Sequence, residues 1–177
     1  MDQDADRDAL LWQLALTFSL FEIFVTGLDD EEALREPAAG AWSVRQDASG
    51  AWLADWAEPE PDPAPPTSLA WLLWHIGWWW SDVTGRAFDG GGLERADATW
   101  PGNVVDAVTG IRAVHERWRT GIAETSSDDF ASVSFGKRCW PKAERPFFHV
   151  ALWVNSELMK NSAEIGVTRR ILAARRG

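Results

Sequence analysis

Three observations predict an all-α fold, an antiparallel up-down four-helix bundle with a small β-hairpin inserted between helices one and two. Four separate segments carry apolar residues at three- and four-residue steps. These segments start or stop on residues suited to helix ends. The two strand-like runs both fall between the first segment and the second. With 177 residues the chain matches one domain, so 1–177 reads as a single unit with an insertion over about 29–66.

The first helix spans about Arg7 to Gly27, with Leu10, Leu14, Phe18, Phe21 and Val25 on one stripe and Gly27 as its stop. Asp29-Asp30-Glu31-Glu32 then suits a short capped helix. The extended runs Ala41–Arg45 and Ala51–Trp56, joined by the turn-like Gln46–Gly50, form the hairpin. Glu58 to Pro66 holds five prolines and is extended.

Thr67 or Ser68 caps the second helix, which runs to about Gly85. It is apolar almost all round and carries five tryptophans and His75. That pattern fits a membrane span or a fully buried helix, and its length and its histidine select the buried helix. Trp78-Trp79-Trp80 cannot all point inward, so at least one meets another element, a partner subunit or solvent. Gly90-Gly91-Gly92 is a flexible loop rather than a phosphate loop, since no Lys-Ser/Thr follows.

Asn103 caps the third helix, whose stripe is Val104, Val108, Ile111, His115, Trp118 and Ile122. After an irregular stretch, Ser126 to Arg145, the fourth helix starts near Pro146 and runs to about Ala174.

Composition narrows function. Charged residues at 25% and hydrophobic ones at 46% exclude a disordered chain. No tyrosine removes the phenol as acid or oxyanion donor. A single cysteine, Cys139, removes disulfide frameworks and Cys-only metal sites. The residues up to Pro66 hold 15 acidic and 3 basic side chains, while the remainder holds 12 and 14. Such a chain lacks the basic face that phosphate neutralisation requires, so no nucleic-acid partner is expected. Arg169, Arg170, Arg175 and Arg176 suit the end of a helix dipole. The acidic start, Met1-Asp2-Gln3-Asp4, has no charged-then-apolar leader, and with one thiol this points to the cytoplasm with no membrane partner.

The last helix is the most informative for chemistry. Trp153, Glu157 and Asn161 stand at four-residue steps along one face. Asn161 also falls in the apolar stripe, so its amide is buried and needs partners. His75 is the expected partner, giving a cluster of His75, Glu157 and Asn161 between the second and fourth helices. Trp71 and Trp78 beside His75 are the expected pocket walls, and His149, one turn before Trp153, reaches toward the pocket mouth. His115 reads as a core or rim histidine. Cys139 lies among Lys137, Arg138 and Lys142, a setting that lowers a thiol pKa if the charges reach it, but with no base placed beside it the residue reads as an ordinary loop or buried thiol.

The second helix's Leu-Leu-Trp-His75-Ile-Gly, taken with Trp153-Val-Asn-Ser-Glu157-Leu-Met-Lys-Asn161-Ser-Ala-Glu164-Ile-Gly on the last helix, resembles the DinB-like superfamily. The closest likeness is to the actinobacterial branch related to mycothiol-dependent maleylpyruvate isomerases. Ala41–Arg45, Gly50-Ala51-Trp52 and the proline run into Thr67-Ser68-Leu69-Ala70-Trp71 carry the same resemblance. It implies a four-helix bundle, often dimeric, with a divalent metal held by one second-helix and two last-helix histidines. Some members use low-molecular-weight thiols.

His75 matches the second-helix histidine. The branch pattern His-x-x-x-Glu-x-x-x-His falls on Trp153, Glu157 and Asn161, so both last-helix histidines are missing. One imidazole, one carboxylate and one amide are a poor set for Ni or Zn, so no metal and no other cofactor is expected. Two readings follow. One is a thiol- or metal-dependent transferase or isomerase with a degenerate site, His75 and Glu157 being its catalytic pair. The other is a non-catalytic bundle that binds a small apolar molecule or acts as a dimeric interaction module. A homodimer and a small-molecule or thiol ligand are the expected partners.

Overall fold

The computed structural model describes residues 3–142 and 144–175. Met1, Asp2 and Arg176, which entered the readings of the two termini, lie outside them. Helix α1 (Gln3–Val25) leads into the short α2 (Asp30–Leu34), whose cap Asp29 accepts from the Glu32 amide. Strands β1 (Val44–Gln46) and β2 (Trp52–Ala54) pair antiparallel, Arg45 opposite Leu53. They form the expected hairpin, with β1 starting three residues later and ending one residue later than expected and β2 shorter at both ends. Trp42 bridges to Thr67, and the Ser43 and Ser68 hydroxyls meet at 2.9 Å, which fixes the hairpin to the start of α3 (Leu69–Thr84). Ser68 is the N-cap, accepting from the Trp71 amide.

A π-helical turn, Gly85–Asp89, extends α3, and a 3-10 turn lies at Arg95–Asp97. Helix α4 (Val104–Glu124) is capped by Asn103. Between it and α7 (Phe147–Ala174) lie α5 (Ser127–Phe130) and α6 (Val133–Cys139). Sequence reading takes this stretch as irregular. Ser126 and Ser132 each cap a turn there, and segments this short lack the periodicity that marks a longer helix.

Helices α1, α7, α3 and α4 pack in a closed ring in that order, consistent with a four-helix bundle. Their directions differ from strict alternation. Arg7 reaches the carbonyls of Ala123 and Thr125 while Glu22 pairs with Arg112, so α1 and α4 are antiparallel. Asn155 donates to the Leu10 carbonyl and Arg169 to those of Phe24 and Thr26, so α1 and α7 run parallel. Gly77 faces Ile111 and Trp80 faces His115, so α3 and α4 also run parallel. The order is up, down, down, up.

The reason lies in the α3–α4 connection, which returns along α3 before α4 begins. The indole N–H groups of Trp78 and Trp74 hold it there, donating to the carbonyls of Leu93 (3.1 Å) and Ala98 (2.9 Å). An irregular segment packed on a helix must find partners for its backbone, and tryptophan supplies them.

α1 is, by length and composition, apolar enough to cross a membrane, the one such helix among the described residues. Here Leu10, Leu14, Phe21 and Val25 are buried in the bundle core, whereas Trp12, Leu16 and Ile23 are exposed.

Candidate functional site between α3 and α7

A cavity of about 690 Å³ opens between α3 and α7 and is bordered on its outer side by the proline-rich segment. Its aromatic wall is Trp42, Trp56 and Trp71, drawn from the β1 approach, the β2 exit and the first turn of α3. The three rings pack as a triangle, with centroids 5.9, 5.6 and 6.2 Å apart. The Trp71 indole donates to the Asp55 carbonyl at 2.8 Å, which ties the hairpin exit to α3. The Trp56 indole nitrogen is buried with no hydrogen-bond partner among the described residues.

His75 lies one turn below Trp71 and stacks on it, ring centroids 4.9 Å apart and planes within 10°. Its Nδ1 is sealed from solvent and has no hydrogen-bond partner among the described residues. Burial first, and the Lys160 ammonium second, push its pKa down from 6.5 to about 4, so the ring is neutral near pH 7. On α7, Glu157 pairs with Lys160 at 2.5 Å. Asn161, 1% exposed, accepts from the Trp79 indole at 3.1 Å and donates to Glu164 at 3.0 Å.

The expected cluster is therefore half assembled. His75, Glu157, Asn161 and Trp71 all line the cavity. No hydrogen bond joins His75 to Glu157 or Asn161; the partners of the amide are Trp79 and Glu164. Three other expected residues lie elsewhere. Trp153 is about one-third exposed and packs between Trp79 and Trp140. Each four-residue step advances about 40° around a helix, so Trp153 is turned well away from Asn161. His149 is exposed beside Phe148. Trp78 touches His75 edge-on but lines a separate cleft between α3 and α4.

All three consecutive tryptophans find partners within the chain. Trp78 meets the return segment and Trp56, Trp79 meets α7, and Trp80 meets Phe18 and His115. Cys139 is buried, and desolvation pushes its thiol up to about 12, outweighing the nearby Arg138, so the electropositive setting does not activate it. Sequence reading missed Trp42 and Trp56 as walls, and Lys160 and Glu164 as polar rim. The signal for Glu164 was its place three residues after a buried amide, on the same helical face.

A metal fits this donor set poorly. His75 is the one imidazole at the site, the Asn161 amide is committed at both ends, and Trp153 has no ligating atom. The Trp79 indole contacts both last-helix positions, 153 and 161. Among the described residues no three His, Cys, Asp or Glu side chains converge. What the cavity offers is an aromatic wall, a neutral imidazole and a rim of carboxylates.

A family model for the DinB superfamily matches residues 53–165, more than half of the chain and all of α3 and α4. No curated protein and no solved structure matches it. The chain belongs to the DinB superfamily.

Proposed function

We propose that this DinB superfamily member binds a small organic molecule in the α3–α7 cavity, without a metal. The observation that carries the reading is His75, an imidazole with a buried, unpartnered Nδ1 set in the wall of a cavity of about 690 Å³. Cavities of this size suit small ligands, and their specificity comes from a few polar groups on apolar walls. Leaving a lone pair buried costs less than leaving an N–H buried, which favours the proton on Nε2, available to a ligand.

Binding is favoured over general-base catalysis by His75. A base works best with a pKa near the operating pH, and burial holds this one at about 4. Glu157 is engaged by Lys160, so it does not orient the imidazole.

The test is a ligand-observed NMR screen of chelator-treated protein against neutral, anionic and cationic fragments. Fragments should bind without added metal and be lost in Ala163→Trp, which fills the cavity from its rim. Binding that requires added Ni or Zn, or a screen in which no fragment binds, contradicts the proposal. Elemental analysis of untagged protein should show no stoichiometric Ni or Zn.

A further inference from the structure

We infer that the ligand of this cavity is an organic cation with an alkylated, weakly hydrated nitrogen, held by the Trp42–Trp56–Trp71 wall beneath a carboxylate rim. The inference rests on the pocket reading above and adds the ligand's charge class.

Two features of the lining carry it. The first is the cluster of three indoles, packed on one another and all lining the cavity. Trp is the strongest cation–π partner among the side chains, and aromatic cages are the usual receptors for quaternary ammonium groups. This cluster already holds one cation, since the Arg95 guanidinium lies over Trp56 with its carbon 4.9 Å from the ring centroid. The second is charge. Glu60, Glu157 and Glu164 line the cavity against one cation, Lys160, and Lys160 is taken up by Glu157. Glu60 and Glu164 are exposed at the rim, which leaves the opening negative.

The type of cation follows from what the wall lacks. A bare ammonium or a metal ion needs several oxygen acceptors to replace its hydration shell. Indole faces offer none, whereas an alkylated ammonium loses little water on meeting them. The carboxylates then act at longer range, by concentrating cations at the opening.

The experiment compares choline with its uncharged carbon isostere, 3,3-dimethylbutan-1-ol, on the full chain, followed through the indole N–H resonances of Trp56 and Trp71. Choline should shift both and bind about 10-fold more tightly than the isostere. Trp56→Leu should weaken choline by about 5- to 30-fold while barely moving the isostere. Glu60→Gln, on an exposed loop where folding is not at risk, should weaken choline by about 2-fold at low salt and not at all at 0.5 M salt, a concentration that screens exposed charges beyond about 4–5 Å.

Equal affinity for the two probes overturns the cation assignment and leaves the pocket reading standing. So does a folded chain that ignores choline while neutral or anionic fragments bind in the screen above. Choline affinity unchanged by Trp56→Leu also overturns it. Failure of the whole screen brings down the pocket reading itself.

Discussion

Two histidines sit on apolar helix faces, and the molecule treats them differently. His115 on α4 stacks on Phe18 with centroids 3.7 Å apart and planes within 8°, and His75 on α3 stacks on Trp71 with planes nearly as close to parallel but centroids 4.9 Å apart. Burial depresses both pKa values, and each ring keeps one nitrogen without a partner among the described residues, Nε2 in His115 and Nδ1 in His75. The surroundings separate them. His115 is 8% exposed, is wedged against Trp80, and has Nδ1 3.1 Å from Glu116. His75 has no carboxylate partner among the described residues and lines a cavity. A histidine on an apolar stripe thus marks packing in one place and the wall of a cavity in the other, and the space beside the ring decides which.

The largest expected effect tests the packed side. Trp80 is fully buried against Phe18 and His115, so Trp80→Ala should cost about 3–5 kcal/mol in urea denaturation. Trp56→Ala, on the cavity side and half-buried, should cost about 1–2 kcal/mol. Equal losses would erase the distinction between a closed core and an open wall.

Next comes pH. The unfolded His75 imidazole takes its proton near 6.5 and the folded one near 4, so the fold is disfavoured once the ring must charge. The stability His75 contributes is complete above pH 6.5 and is lost as pH falls toward 4, by about 3 kcal/mol. His75→Gln should remove most of that slope, and His115→Gln a smaller part, because Glu116 offsets the burial of His115. The charged groups sharing the cavity with His75 are Lys160, Glu157, Glu164 and Glu60. Repeating the comparison in Lys160→Met isolates the lysine's share, and the slope should shrink without disappearing.

Asn161→Ala should cost about 1–3 kcal/mol, because it strands the buried Trp79 N–H. The smallest effect belongs to Arg95→Ala, which removes a cation from over the Trp56 ring for about 0.5–1 kcal/mol. A larger loss would mean that Arg95 supports the Trp wall itself.

Much of the fold was legible because caps and periodicity are local. Ser68, Asn103 and Asp29 each cap the helix their spacing announced. Helix direction was not legible, since it depends on the path of a connection that carries no periodicity. His75, Glu157 and Asn161 were legible as a group from helical spacing and family likeness. Their hydrogen bonds were not, because Trp79 reaches Asn161 across 82 residues and nothing local encodes that pairing. The aromatic wall was hidden for the same reason: Trp42 and Trp56 read as hairpin residues until the hairpin is folded against α3.

The central claim is tested most directly by an NMR titration of metal-free protein that follows both imidazoles at once. As choline, or any fragment recovered in the screen, is added, the His75 ring signals should move and those of His115 should stay fixed. Signals that move together, that move only at His115, or that move only after Ni or Zn is supplied would contradict a metal-independent pocket at His75.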